Sequence, residues 1–181
     1  TGSWGISATD FSTASGSIAE SPSGDYAANT NSNITSSNWI DLSDAQKALM
    51  LFDAKWDIEK GFDYTVLEVQ EEGGAWTKLC GLHTAKGSEN QGNFQVYDGD
   101  SKGWVRERVV LDQFAGKKIK FRFTFRSDGF GEGAGFKFDE LKILKTGAQV
   151  SGIRPATVPD YGLSNVPNPA TNSTTSLYRI A

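Results

Sequence analysis

The nine residues Lys118–Arg126 constrain the fold more tightly than any other stretch of the chain. Ile119, Phe121, Phe123 and Phe125 alternate with Lys120, Arg122, Thr124 and Arg126. A period of two makes one face dry and the other wet, which describes a half-buried strand and excludes an amphipathic helix. The same rhythm, less strictly kept, runs through residues 49–56, 64–70, 75–79, 93–97, 104–111 and 135–144. Turn chemistry separates the runs: Glu72-Gly73-Gly74, Asp98-Gly99-Asp100, Ala115-Gly116-Lys117 and the glycine-rich segment 128–135. Helical patterns of useful length are missing, residues 42–48 offering about two turns at most. Many short strands at this spacing predict an all-β sandwich or barrel.

A chain of 181 residues supports one sizeable core. Residues 1–40 are rich in Ser, Thr, Asn and Gly but carry rings at Trp4, Phe11, Tyr26 and Trp39. We read them as long loops wrapped around the sandwich, with short strands near residues 4–7 and 17–20. The main domain is thus expected over residues 1–147. Pro155, Pro159, Pro167 and Pro169 mark 148–172 as a linker. Residues 173–181 end in the alternating Ser176-Leu177-Tyr178-Arg179-Ile180, expected to begin a further, truncated module.

Cys80 and His83 are the sole cysteine and histidine. An intramolecular disulfide, a cysteine-rich zinc site and every paired-histidine metal motif are thereby excluded within the chain. Scarce cysteine agrees with export from a bacterium. No apolar run approaches the roughly 18 residues of a membrane-spanning helix. Residues 1–101 carry fifteen acids against five bases, whereas 102–145 carry six acids against eleven bases. The basic residues alternate with apolar ones, so they read as the wet face of strands and not as a nucleic-acid surface. No nucleic-acid partner is expected, and a monomer is.

Three acidic clusters stand out: Glu20 with Asp25; Asp53, Asp57, Glu59 and Asp63; and Asp128, Glu132, Asp139 and Glu140. Hard cations such as calcium take six to eight oxygens, which loops of this composition supply. Phe136 and Phe138 share one face while Leu141 and Ile143 take the opposite parity, so the period slips at Asp139-Glu140. A β-bulge there is expected to re-aim a carboxylate inward. Glu20, Asp25 and Asp139 are the calcium candidates; the other acids read as solvated loop residues. Nothing marks one acid for glycosidase chemistry. The loop 129–135 lacks the Lys-Ser/Thr and helix of a phosphate loop. His83 reads as a surface or satisfied residue, Cys80 as a small buried hydrophobe, and Trp39, Trp56, Trp76 and Trp104 as core.

With strands and acids in place, a family resemblance emerges. Glu20-Ser21-Pro22-Ser23-Gly24-Asp25-Tyr26-Ala27-Ala28-Asn29 resembles the DSPxGxYxxN opening of MAM-like jelly-roll domains attached to bacterial secreted peptidases of the immune inhibitor A and zinc carboxypeptidase kinds. Trp39 to Ser43, Trp56 to Tyr64, Gly73 to Trp76, Trp104 to Gly116, Phe121 to Asp128 and Gly135 to Leu141 are similar to its later motifs, in the same order. Glu20 and Glu140 stand where the family has Asp. The resemblance implies a jelly-roll sandwich of two antiparallel sheets, with structural calcium held through Glu20, Asp25 and Asp139. It also implies a non-catalytic accessory domain of a secreted or cell-surface protein, whose partner is the catalytic domain of the same polypeptide. A carbohydrate-binding or adhesion module, with a protein or carbohydrate ligand, is the competing class. Residues 165–175, with Val166-Pro167-Asn168-Pro169, resemble the start of the sorting domains of the Bacteroidetes type IX secretion system.

Overall fold

The structure, a computed structural model, describes residues 4–147 and the strand Thr175–Arg179. The N-terminal loops contribute β1 (Gly5–Ser7), β2 (Ser17–Ala19), β3 (Asn31–Thr35) and β4 (Ile40–Asp41). The longer strands begin with β5 (Ala45–Ile58), β6 (Tyr64–Glu71) and β7 (Trp76–Leu79). Three two-residue strands follow: β8 (Ala85–Lys86), β9 (Gln95–Val96) and β10 (Gly99–Asp100). After them come β11 (Val105–Val110), β12 (Lys118–Arg126), β13 (Gly135–Gly147) and β14 (Thr175–Arg179). A single turn of 3-10 helix, Asp112–Phe114, separates β11 from β12. No helix among the described residues is long and apolar enough to cross a membrane.

Two large antiparallel sheets form the expected all-β sandwich, and β8 and β9 pair separately as a two-stranded ribbon. In the first, the order is β1-β2-β13-β5-β10, with β11 also pairing β5 and β14 also pairing β13. The second runs β3-β12-β6-β7, with β4 beside β12. Strand β14 lies antiparallel to β13, matching Lys142 with Arg179 through to Thr146 with Thr175. The rest of the segment 148–181, including the expected linker, lies outside the described residues.

Alternation decides what meets between the sheets. Met50, Phe52, Ala54, Trp56 and Ile58 of β5 are buried at every second position, facing Ile119, Phe121, Phe123 and Phe125 of β12. Phe123 lies at the centre. Its ring is 4.6 Å from Phe138, 5.3 Å from Phe136 and 5.3 Å from Phe52, centroid to centroid. Each such ring removed from water stabilises the fold by about 1.5–3 kcal/mol. The turn from β6 to β7 needs Gly73, whose φ of +76° suits a residue without Cβ.

The period slip is a real bulge. Asp139 pairs with Asp53 but Lys142 with Leu51, so one extra residue sits on β13. Buried positions change from Phe136 and Phe138 to Leu141 and Ile143 across it. Glu140 takes up the bend with φ +50°. A second irregularity, between Thr146 and Gly147, accounts for the uneven spacing of Ala45 and Ala48. Residues 45–48, within the stretch that offered at most two helical turns, are instead the start of β5, because pairing with β13 satisfies the backbone.

Candidate functional site

Glu59 and Asp63 bracket the tight turn from β5 to β6, and Asp128 follows the end of β12. The pairing of Arg126 with Tyr64 brings residues 127–128 alongside the start of β6. The backbone N–H of Asp128 donates to Asp63 Oδ1 at 2.7 Å, and that of Asp63 to the Glu59 carbonyl at 3.2 Å. One oxygen from each of the three carboxylates lies within 4.8 Å of the others, and among the described residues this is the acidic trio that so converges.

The trio is built into the fold. Asp63 is fully buried, Glu59 half-buried and Asp128 exposed. Tyr26, buried from the opening loop, accepts the Glu59 N–H at 3.0 Å. Its hydroxyl faces both Asp63 Oδ2 at 2.8 Å and the Gly131 carbonyl at 2.7 Å. One phenolic proton serves only one of these acceptors at a time. Glu59 Oε2 has no contact with solvent and no hydrogen-bond partner. Gly131 passes so close that a Cβ there would meet the Glu59 carboxylate at 2.2 Å.

Burial raises the Asp63 carboxyl above its ordinary range and the Asp128 charge adds to this, opposed by the Asp128 N–H and the Tyr26 hydroxyl. Glu59 is raised by desolvation first and then by the charges of Asp63 and Asp128. Tyr26 is pushed far above the usual phenol range, burial again leading. An oxygen-rich pocket with an unpartnered carboxylate oxygen and too few protons has the donor chemistry of a hard-cation site.

The three acids singled out in the sequence lie elsewhere. Glu20 is buried, and its carboxylate accepts the hydroxyls of Ser21 and of Ser32, the latter at 3.1 Å. Asp25 is exposed, beside a hollow shared with Asp10 and Lys137. Asp139 accepts the N–H groups of Ser12 at 3.0 Å and Thr13 at 2.8 Å. The expectation that the bulge re-aims its carboxylate inward fails. Asp139 keeps the outward parity of Lys137, and the extra residue changes parity only downstream. The converging trio was visible in the sequence as two separate acidic clusters; the missing signal was the pairing of β12 with β6.

The remaining candidates are also placed. His83 is exposed, the surface residue of the two placements expected. Its backbone N–H donates to the buried carboxylate of Glu107 at 3.0 Å, while its Nδ1 lies 3.6 Å from that carboxylate. Cys80 is exposed, not buried: it follows buried Leu79 with the opposite parity, at the end of an edge strand. Of the tryptophans expected in the core, Trp56 is buried, Trp76 and Trp104 are half-buried, and Trp39 is 38% exposed. In the glycine-rich loop, the Gly131 and Gly133 carbonyls accept hydrogen bonds from Tyr26, opposite to the donor array a phosphate needs.

Comparison with known proteins identifies the family. Over 90 residues, half of this chain, the sequence is 30% identical to Immune inhibitor A of Bacillus thuringiensis subsp. alesti. The match covers 12% of that protein's length. Residues 18–152 match the family described as Immune inhibitor A-like, MAM domain. They include the loop at residues 20–29, the second sheet, the first sheet apart from β1 and β14, and the acidic trio, and the chain belongs to that family.

Proposed function

We propose that this chain is a non-catalytic accessory domain of a larger secreted or cell-surface peptidase, stiffened by calcium and helping to bind substrate or partner. The observation that carries the calcium is the convergence of Glu59, Asp63 and Asp128 around an unpartnered, buried Glu59 Oε2. Calcium there would join the β5–β6 turn to the loop after β12 and hold the glycine-rich loop against Tyr26. Glu20, Asp25 and Asp139 are the alternative ligand set that the family resemblance implies. Family membership and the partial match to Immune inhibitor A support a parent peptidase. The scarcity of histidine and cysteine, one of each, supports the non-catalytic reading. The motif at residues 165–175 supports a type IX export route.

Thermal melting in calcium and in EDTA tests the central point. At a calcium concentration ~100 times Kd, the expected stabilisation of ~2.7 kcal/mol raises Tm by about 5–10 °C. Glu59→Gln combined with Asp128→Asn abolishes the shift, whereas Asp25→Asn leaves it intact. Loss of the shift only in Asp25→Asn would transfer the ion to the alternative set. An unchanged Tm with no calcium in metal analysis would end the calcium proposal altogether. Peptidase activity of the full-length protein, retained by its other domains when this one is removed, is the corresponding test of the accessory role.

A further inference from the structure

We infer that the outer face of the second sheet is a binding site for an acidic polysaccharide. This rests on the binding half of the reading above, not on calcium, and gives that role a ligand class. Strand register puts the relevant side chains on one surface. Arg122 lies opposite Glu68 and Thr35, and Glu68 opposite Lys78. Lys120 lies opposite Gln70, and Gln70 opposite Trp76. Arg126 lies opposite Tyr64 and Asn31, and Thr124 opposite Val66 and Asn33.

Five cations, Lys78, Lys118, Lys120, Arg122 and Arg126, thus share this face with two carboxylates, Glu68 and Asp41, the latter opposite Lys118. Glu68 is buried and already committed. It accepts Arg122 Nε at 2.6 Å and the Thr124 hydroxyl at 2.8 Å, and Lys78 lies 3.8 Å away. Burial would raise Glu68, but the bonds from Arg122 and Thr124 outweigh it and hold its carboxyl below the ordinary range. It therefore stays charged and neutralises one cation, as Asp41 does Lys118, leaving an excess of three positive charges in a chain whose net charge is −4. A hollow of about 220 Å³ opens over Val66, Glu68 and Thr124, rimmed by Phe94, Lys78, Arg122 and Arg126.

Aromatic rings hold the cations in position. The Arg122 guanidinium lies 4.2 Å from the Trp76 ring, Lys78 4.1 Å from Phe94 and Lys120 5.2 Å from Trp39. A cation already covers each of these rings, so the face is a poor base-stacking platform for single-stranded nucleic acid. It offers side chains and no strand-edge backbone, so an acidic peptide cannot add to it as a strand. What it presents is fixed positive charge interspersed with Asn31, Asn33, Thr35 and Gln70. Amides and hydroxyls beside cations match a chain of sugars bearing hydroxyls and regularly spaced carboxylates or sulfates.

Affinity electrophoresis of the intact chain in gels containing polygalacturonate or chondroitin sulfate tests the inference, with dextran, polyglutamate and single-stranded DNA as comparisons. Retardation by an acidic polysaccharide is expected, weakening with salt. Lys120→Ala with Arg126→Ala should weaken it on the order of tenfold while leaving Tm unchanged, since both side chains reach solvent. Lys47→Ala with Lys102→Ala, an equal loss of exposed charge elsewhere, should leave retardation intact. The inference is overturned by no retardation in any acidic polysaccharide, by equal retardation in polyglutamate or DNA, or by insensitivity to the double substitution. None of these outcomes bears on the calcium shift in Tm, so the two proposals fail separately.

Discussion

The carboxylate of Asp10 lies 2.8 Å from the ammonium of Lys137, a salt bridge between residues 127 positions apart. Lys55 reaches the same carboxylate at 3.0 Å, and Trp104 Nε1 donates to it at 3.2 Å. One acid in an otherwise irregular loop thereby fastens that loop to three strands or strand ends of the first sheet. The composition of residues 1–40 resembles a linker, yet this contact and the bonds from Ser12 and Thr13 to Asp139 hold the segment in place.

Asp10→Ala should therefore destabilise by about 1–3 kcal/mol, above the scale of an exposed pair because Lys137 is left largely buried without its partner. Urea unfolding measures it. A loss under about 0.5 kcal/mol would show that the loop is held by other contacts.

Acid and base act oppositely on two groups of carboxylates. Glu68 and Asp10 have lowered pKa values: burial opposes the shift in both, but cationic partners prevail. Their stabilisation is present above the ordinary carboxylate range and disappears as pH falls through their folded values. Glu59 and Asp63 are raised. In the metal-free chain, the stability from their protonated forms is full below the unfolded values and is lost as pH rises through the folded ones. Melting against pH in EDTA should show this loss just above the ordinary carboxylate range, and Glu59→Gln should reduce it. Calcium should remove it.

The bulge residue gives a backbone test. Glu140 has φ +50°, in the left-handed region that costs an ordinary residue about 1–2 kcal/mol. Its side chain also meets Lys142 at 2.5 Å, a partly exposed pair. Glu140→Gly should be neutral or stabilising by up to about 1 kcal/mol, and Glu140→Val destabilising by about 1–2 kcal/mol. Equal effects of the two substitutions in chemical unfolding would show that the side chain, not the backbone, sets the cost.

Phe123 tests the core. It is fully buried and meets rings from β5, β12 and β13, so Phe123→Ala should cost about 3–5 kcal/mol. A midpoint shift corresponding to less than ~2 kcal/mol would mean that the neighbouring rings collapse into the space.

Exposure of Cys80 is directly measurable. One thiol per chain should react with a maleimide in the native state, without denaturant. Reaction only on unfolding would restore the buried placement that its position beside a strand suggested.

Alternation is a local property, and it made the strands legible. Lys118–Arg126 is a strand from end to end, and the slip at Asp139-Glu140 marks a true bulge. Cys80 and Trp39 were misplaced because both lie where alternation stops: one at the end of the edge strand β7, the other in the connection between β3 and β4. No partner strand covers them there.

The sequence by itself determined that the protein is all-β, where its longer strands fall and which of their faces are dry. It did not determine β3 or the start of β5, whose residues carry no clear alternation. Only the tertiary structure decided which acids meet. Alternation assigns a side chain to a face, but its neighbours on that face come from strands far away in the chain. The pairing of β12 with β6 brings Asp128 to Asp63 and Arg122 to Glu68. A different non-local register, β13 against β5, sets Asp139 opposite Asp53 and beside the N-terminal loop, away from Glu59 and Asp63.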